Sequence, residues 1–194
     1  MSKKSIGGIT AVVIIALMLL YVFGAFSSKK EAKVYSPEQF VENQRISGLS
    51  FSETRDKVLY TSNHTGSPTA WAYDIKKDER SIVHQDSLNP VFSLALFSKE
   101  NHLIYISNSN GRPYTHLYLK EGDKITDLTP GEKVRARFRG MKNDFSGFYY
   151  TSNNRSTRGF DLYEYNLKTK SSRLVFLNDT GYSMGMISHN EKYI

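Results

Sequence analysis

A serine with the spacing of a hydrolase nucleophile lies in the last part of the sequence. Residues 181–185 read Gly-Tyr-Ser-Met-Gly, which fits the Gly-x-Ser-x-Gly pattern of a nucleophile elbow with Ser183 at its centre. An elbow needs a strand before the serine, a helix after it, and an acid and a histidine later in the chain. Residues 186–194 follow, with His189 as their one histidine. We therefore expect no catalytic residue in this chain and interpret Ser183 as a residue that leads into a strand.

Three arginines at alternate positions form a second chemical pattern. Arg135, Arg137 and Arg139 would share one face if their segment is a strand, because successive side chains of a strand point to opposite faces. Arginine binds carboxylates through two parallel hydrogen bonds. We expect these three residues to bind substrate through a carboxylate. The alternative is a solvated edge whose charge is balanced by Glu132 and Asp144.

The sequence gives little sign of metal, thiol or nucleic-acid chemistry. Its five histidines show no ligand spacing such as His-Glu-x-x-His, so we expect no metal and no cofactor. It contains no cysteine, which excludes disulfides and thiol catalysis. The net charge of +7 comes partly from lysines beside the first apolar run. No nucleic-acid-binding motif accompanies that charge, and we expect no nucleic-acid partner.

The amino terminus has the composition of a membrane segment. A basic region, residues 1–5, precedes residues 6–26, which carry no charge and exceed the roughly 20 apolar residues that cross a bilayer. This run is longer than the apolar region of a usual signal peptide, so we predict a transmembrane signal anchor, with a cleaved signal peptide as the alternative. Lysines on both sides leave the orientation open. The export-like terminus predicts a membrane-anchored domain in the periplasm or another extracytoplasmic space.

Residues 27–45 are predicted to form a linker that contains one short helix. The helix is expected within residues 36–43, where Ser36 can cap the first turn, Pro37 fits the first helical position and Glu38 favours the amino-terminal end. After this point the sequence shows no helical periodicity and reads as all-β.

The remaining chain repeats with a period of 45 residues. Tyr-x-Ser-Asn motifs begin at positions 60, 105 and 150, so both intervals, 105 − 60 and 150 − 105, equal 45. A second tyrosine follows each motif at the same spacing. The six tyrosines are Tyr60, Tyr105 and Tyr150 with Tyr73, Tyr118 and Tyr163. Since they recur once per unit, we interpret them as packing residues between units, and Asn63, Asn108 and Asn153 as turn residues of the middle hairpin.

Each unit contains four short runs of aromatic and β-branched residues separated by turn residues, which predicts four strands. Four strands in about 45 residues are typical of a β-propeller blade. We predict blades at about 46–91, 92–135 and 136–183, and the start of a fourth at 184–194. Three blades and a fragment do not close a ring of 4 to 8 blades. We therefore expect a longer chain, a protein partner or a homo-oligomer to complete the ring.

Residues 35–194 resemble the propeller of the prolyl oligopeptidase family of serine peptidases. The resemblance lies in YSPEQFVENQRISGLSFSETRDKVLYTSN and in the repeated FS, YxSN, G and LY landmarks. It implies a propeller that gates and orients short peptides for an α/β-hydrolase domain missing from this sequence, so this chain would be the non-catalytic, membrane-anchored portion. The family's Ser-Pro-Asp-Gly turn is reduced to a serine here. The chain is also similar to TolB-like envelope propellers, which implies the alternative of a non-enzymatic domain that binds a protein partner.

Overall fold

The structure is a computed structural model, and it describes most of the chain. The described residues are 14–19, 21, 33–41, 43–97, 102–108, 113–157, 159–185 and 187–193. The chain divides into two compact units, residues 1–43 and 44–194.

The first unit contains helical residues at 14–19 and 21, all of them exposed. The rest of the predicted membrane segment, residues 6–26, lies outside the described residues. Within the described part of the chain, no helix combines the length and apolarity needed to cross a bilayer. The membrane anchor therefore stays a prediction.

The short helix predicted within residues 36–43 is present as α1, Pro37–Val41. Its first turn is closed by a reciprocal capping box. The Ser36 N–H donates to Gln39 Oε1 at 2.9 Å, and the Gln39 N–H donates to Ser36 Oγ at 3.4 Å. The pKa of Glu38 is lowered by its hydrogen bonds to a backbone N–H and to Ser36, which agrees with its expected place in the first turn.

The second unit consists of three four-stranded antiparallel sheets, in which strands pair in chain order. Sheet 1 contains β1 Ile46–Phe51, β2 Lys57–Ser62, β3 Thr69–Asp74 and β4 Glu79–His84. Sheet 2 contains β5 Phe92–Phe97, β6 His102–Asn108, β7 Thr115–Glu121 and β8 Lys124–Asp127. Sheet 3 contains β9 Ala136–Met141, β10 Gly147–Ser152, β11 Asp161–Asn166 and β12 Ser171–Phe176. This confirms the all-β, propeller-like prediction of three four-stranded units, whereas residues 184, 185 and 187–193 form no strand.

Each sheet has two faces because side chains alternate along its strands. In sheet 2, Leu103 and Tyr105 point toward sheet 1, and Ile104 and Leu117 point toward sheet 3. We call the side of sheet 2 that faces sheet 1 the front face and the side that faces sheet 3 the back face. In sheets 1 and 3, the front and back faces are the sides with the same orientation along the series of sheets.

Apolar clusters join the back face of one sheet to the front face of the next. Between sheets 1 and 2 the buried cluster contains Leu59, Ala70, Ala72, Val91, Leu96, Leu103 and Tyr105. Between sheets 2 and 3 it contains Ala95, Phe97, Ile104, Leu117, Leu119, Ala136, Phe148, Tyr150 and Tyr165. Tyr105 and Tyr150 therefore pack between sheets, as the sequence predicted for the first tyrosine of each repeat.

The second tyrosines of the repeats, Tyr73, Tyr118 and Tyr163, do not occupy equivalent positions in the three sheets. Tyr105 stands opposite Tyr118, and Tyr150 stands opposite Tyr163, with stacked rings whose centroids are 5.2 and 5.3 Å apart. In sheet 1 the residue opposite Tyr60 is Trp71, at 6.4 Å.

Tyr73 therefore lies two positions beyond the equivalent site, although its spacing of 45 from Tyr118 suggested otherwise. The cause is the β2–β3 loop. Counted from the pair that contains the motif serine, residues 63–68 lie between Ser62 and its partner Thr69. The equivalent serines of sheets 2 and 3 enclose residues 108–115 and 153–160 with their partners, and in sheet 2 one further pair, Asn108 with Thr115, forms within that segment.

Candidate binding site

The residues around Ser183 do not form a nucleophile elbow in the described part of the chain. Residues 181–185 have neither strand nor helix conformation, and Ser183 is exposed. Its hydroxyl makes no hydrogen bond to a described histidine or carboxylate. Met184, the next residue, is buried against Tyr149 and Leu162 of sheet 3. This contact resembles that of Val91, which packs on sheet 1 just before β5 begins.

The asparagine of the Tyr-x-Ser-Asn motif positions the first strand of its own sheet. Asn153 Oδ1 accepts the N–H of Arg135 at 2.6 Å, and Asn153 Nδ2 donates to the Lys133 carbonyl at 3.3 Å. In sheet 1, Asn63 Oδ1 accepts the N–H of Arg45 at 2.7 Å. The sequence predicted only a turn role for these asparagines. The structure adds that they fix the backbone just before β9 and β1.

Arg135 is separated from the other two arginines by its contacts. Strand β9 begins at Ala136, so Arg135 lies before the strand. Its guanidinium lies over the ring of Tyr114, 5.1 Å from the centroid, in the β6–β7 segment of sheet 2.

Arg137 and Arg139 lie together on the back face of sheet 3, and we call them the arginine pair. Arg137 stands opposite Thr151, and Arg139 Nε donates to Thr151 Oγ1 at 3.1 Å. The Arg137 guanidinium lies over the ring of Phe160 at 4.7 Å. Burial and the neighbouring charge of Arg137 lower the pKa of Arg139. Two guanidinium groups that repel each other form a favourable place for an anion.

An ion pair between exposed Arg155 and buried Asp161 helps to position the backbone of Phe160, whose ring lies beneath Arg137. Arg155 Nε and a terminal guanidinium nitrogen donate to the two oxygens of Asp161 at 2.7 and 2.9 Å. This interaction is the main reason why the pKa of the buried Asp161 is lowered. The Asn178 N–H donates to Asp161 at 2.8 Å, and Asn178 Nδ2 donates to the Phe160 carbonyl at 3.2 Å.

The sequence contained a signal for this network. In the β10–β11 segment, residues 153–158 read Asn-Asn-Arg-Ser-Thr-Arg. The glycine and proline that the first two repeats have at equivalent positions are replaced there by Ser156 and Arg158, and Arg155 lies just before them.

Two carboxylates near sheet 3, those of Asp144 and Glu164, are bonded to groups other than the arginine pair. Asp144, one of the acids expected to balance the arginines, accepts hydrogen bonds from the N–H and hydroxyl of Ser146 at 3.0 and 2.7 Å, which lower its pKa. Glu164 is bonded by Lys142, at 3.0 Å, and by Arg173. Neither acid therefore forms an ion pair with Arg137 or Arg139. In the described residues, no group of three or more histidine or acidic side chains could hold a metal ion.

Comparisons with known proteins support the fold. No protein-family model matches the chain, and a search of curated proteins finds no match. Among solved structures, TolB from Acinetobacter baumannii is similar over 77% of this chain, with 18% identity and a TM-score of 0.56. A prolyl endopeptidase structure is similar over 70% of this chain, with 12% identity and a TM-score of 0.51. The matches cover 36% of the TolB chain and 22% of the endopeptidase chain. At these identities the likeness concerns the propeller-like fold alone.

Proposed function

We propose that the chain is a non-catalytic propeller portion whose arginine pair holds the carboxylate of a short peptide. The observation that carries this proposal is the placement of Arg137 and Arg139 on one face of sheet 3, with Arg137 supported by the Phe160 ring. A carboxylate between the two guanidinium groups would relieve their repulsion and accept charge-assisted hydrogen bonds. Arg135 is not part of this site, because its guanidinium lies over Tyr114 of sheet 2.

In this proposal the domain gates and orients peptides for a prolyl oligopeptidase-like serine peptidase whose hydrolase domain lies outside this sequence. The similarity of fold to a prolyl endopeptidase supports the propeller part of this role. Residues 6–26 would anchor the domain to a membrane, with the sheets on the extracytoplasmic side. Their uncharged composition supports the anchor.

A TolB-like domain that binds a protein partner is the second candidate function. The observation in its favour is the fold similarity to TolB, which covers 77% of this chain at a TM-score of 0.56. In that case the arginine pair would hold an acidic side chain or the terminal carboxylate of the partner.

Peptide binding by the full chain tests the carboxylate site. Isothermal titration calorimetry in a mild detergent would compare short peptides that have a free carboxyl terminus with the same peptides amidated. We expect the free acid to bind about tenfold more tightly or better, because one charge-assisted hydrogen bond contributes about 1.5 kcal/mol or more. The double variant Arg137→Gln/Arg139→Gln should abolish that preference.

The matched control is Lys168→Gln, which removes an exposed charge from the β11–β12 turn. It should leave the preference unchanged. Equal affinity for acid and amide in the wild-type chain, or a preference that survives in the double variant, would contradict the carboxylate site.

The mass of the native protein in its own cells distinguishes the two candidate functions. An antibody against the exposed segment 76–81 would detect either product. A product several hundred residues larger, with a serine hydrolase domain, supports the peptidase portion. A product at 22.2 kDa excludes the gating role and favours a partner-binding domain.

A further inference from the structure

A pocket of about 430 Å³ opens between sheets 2 and 3 at their outer strands, and we call it the rim pocket. Its wall on sheet 2 is formed by β7, β8 and Leu128, which follows β8, and its wall on sheet 3 by β11, β12 and the turn between them. Each of these two sheets has its four strands within the described residues. The volume lies within the roughly 300–1,000 Å³ of small-molecule sites.

The floor of the rim pocket is apolar and belongs to the core between the two sheets. Leu119 is buried there, and Leu128 packs against the same cluster. The ring of Tyr165 stacks on Phe148, with centroids 5.1 Å apart, and lines the opposite wall. An apolar group that enters the pocket therefore meets a surface that is already formed.

A buried hydroxyl without a partner lies in the rim pocket. Tyr165 is only 5% exposed, and its hydroxyl forms no hydrogen bond to a described group. Burial is the main reason why the pKa of Tyr165 is raised, and the charge of Glu121 adds to this effect, so the hydroxyl remains a donor at neutral pH. Buried polar groups in proteins are nearly always hydrogen-bonded. The Tyr165 hydroxyl therefore indicates a ligand that supplies an acceptor.

The charges around the rim pocket favour an anion. Lys170 Nζ lies 2.9 Å from both oxygens of Glu121, and this ion pair joins the two sheets and neutralises the acid. Asp127, which also lines the pocket, is bonded to His116 Nδ1 at 2.7 Å. Lys124 lies near enough to Glu121 to lower its pKa but forms no ion pair with it. Among the described residues that line the pocket, Lys124 is therefore the cation available to a ligand.

We propose that the rim pocket binds a small carboxylic acid with an aromatic or branched aliphatic body. The body lies on Leu119 and Leu128 beside the Tyr165 ring. The carboxylate accepts hydrogen bonds from the Tyr165 hydroxyl and the Lys124 ammonium group, and such charge-assisted bonds are strong beside an apolar surface. This site is separate from the arginine pair, which lies on β9, the first strand of sheet 3.

Methyl NMR of the full chain in mild detergent locates the binding. The probes are 3-phenylpropionate and its amide, which has the same shape without the charge. We expect 3-phenylpropionate to shift the methyl signals of Leu119 and Leu128 at about millimolar concentration, the range for a ligand of this size. The methyl signals of Leu59, which is buried between sheets 1 and 2, should not shift. The amide should bind about tenfold more weakly, because it loses a charge-assisted hydrogen bond.

Two variants test the polar contacts. Lys124→Gln should lower the affinity for 3-phenylpropionate about tenfold and remove the preference for the acid over the amide. Tyr165→Phe keeps the stacked ring and should lower the affinity about two- to tenfold, because one hydrogen bond is lost. Lys168→Gln removes an exposed lysine from the same turn as Lys170 and should bind both probes like the wild type.

Unchanged Leu119 and Leu128 signals at about 10 mM 3-phenylpropionate would overturn the proposal, as would equal affinity of the wild type for acid and amide. A preference for the acid that survives in Lys124→Gln would overturn it as well.

Because the arginine pair is itself a proposed carboxylate site, the titration is repeated in Arg137→Gln/Arg139→Gln. Shifts of Leu119 and Leu128 that persist in this variant support the rim pocket, whereas shifts that vanish would assign the binding to the arginine pair and overturn the proposal. The outcome of the peptide test does not affect this result, since the peptide test compares variants of Arg137 and Arg139 alone.

Discussion

His84 is a single residue whose protonation affects the contact between two sheets. Its ring packs against Tyr105, and its Nε2 is buried without a hydrogen-bond partner among the described groups. Burial is the main cause of its lowered pKa, and the charge of Lys120 adds to this effect, whereas Asp86 opposes it. The folded protein therefore favours neutral His84 more than the unfolded chain does.

Acidification should destabilise the protein through His84. Since the folded pKa lies below the unfolded value of about 6.5, the stability contribution of this group is complete above pH 6.5 and is lost as the pH falls below it. The loss from one proton is at most about 1.4 kcal/mol per pH unit. His84→Phe keeps an aromatic ring against Tyr105 and should reduce the fall in the urea midpoint between pH 7 and pH 5.

Exposed His189 provides the comparison for this measurement. His189→Gln should retain the wild-type pH dependence. If His84→Phe and His189→Gln both behaved like the wild type, the pH dependence would have to come from other groups.

At the scale of the strand, the asparagine of the repeated motif connects stability with binding. Asn153→Ala removes the two hydrogen bonds that hold the backbone before β9, at Arg135 and Lys133. We expect the free energy of unfolding to fall by about 1 kcal/mol, because both hydrogen bonds are exposed and water replaces part of what the backbone groups lose. The affinity for peptides with a free carboxyl terminus should fall as well, because β9 carries the arginine pair.

Asn63→Ala removes the equivalent hydrogen bond to Arg45 in sheet 1 and serves as the matched control. It should lower the urea midpoint but leave peptide affinity unchanged. An Asn153→Ala chain that binds peptide as tightly as Asn63→Ala would show that the start of β9 does not position the site.

Local sequence patterns predicted the elements better than the contacts between them. Alternating apolar residues and turn residues predicted the strands, and Ser36 with Pro37 predicted the start of α1, because these signals act within a few residues. Phe160 as the support of Arg137 could not be found in this way. It depends on Asp161 and Asn178, which meet only after β11 and β12 have paired. The spacing of three arginines likewise did not show that Arg135 lies outside the strand and contacts Tyr114.

For the whole molecule, the stacking of sheets predicts a gradient of local stability. Sheet 2 is covered on both faces, whereas all six residues of β12 are exposed. Amide hydrogen exchange follows such differences in burial. We expect amides of β6 and β7 that are bonded within the sheet to exchange most slowly and those of β12 to exchange fastest. Equal protection of β7 and β12 would indicate that the three sheets open as one cooperative unit.

The shorter β2–β3 loop of sheet 1 shows which length changes this architecture tolerates. Residues 63–68 correspond to eight-residue segments, 108–115 and 153–160, in the other two sheets. Tyr73 and Trp71 are two positions apart and lie on the same face of β3, so Trp71 takes the place of a tyrosine while every neighbouring side chain keeps its face. The pairing of Ser62 with Thr69, and not the number of residues between them, fixes which side chains of β3 point to the core. Loop variants of these hairpins should therefore fold whether residues are added or removed singly or in pairs, and an alignment of repeats by tyrosine spacing alone will misplace β3 by two positions without disturbing its apolar pattern.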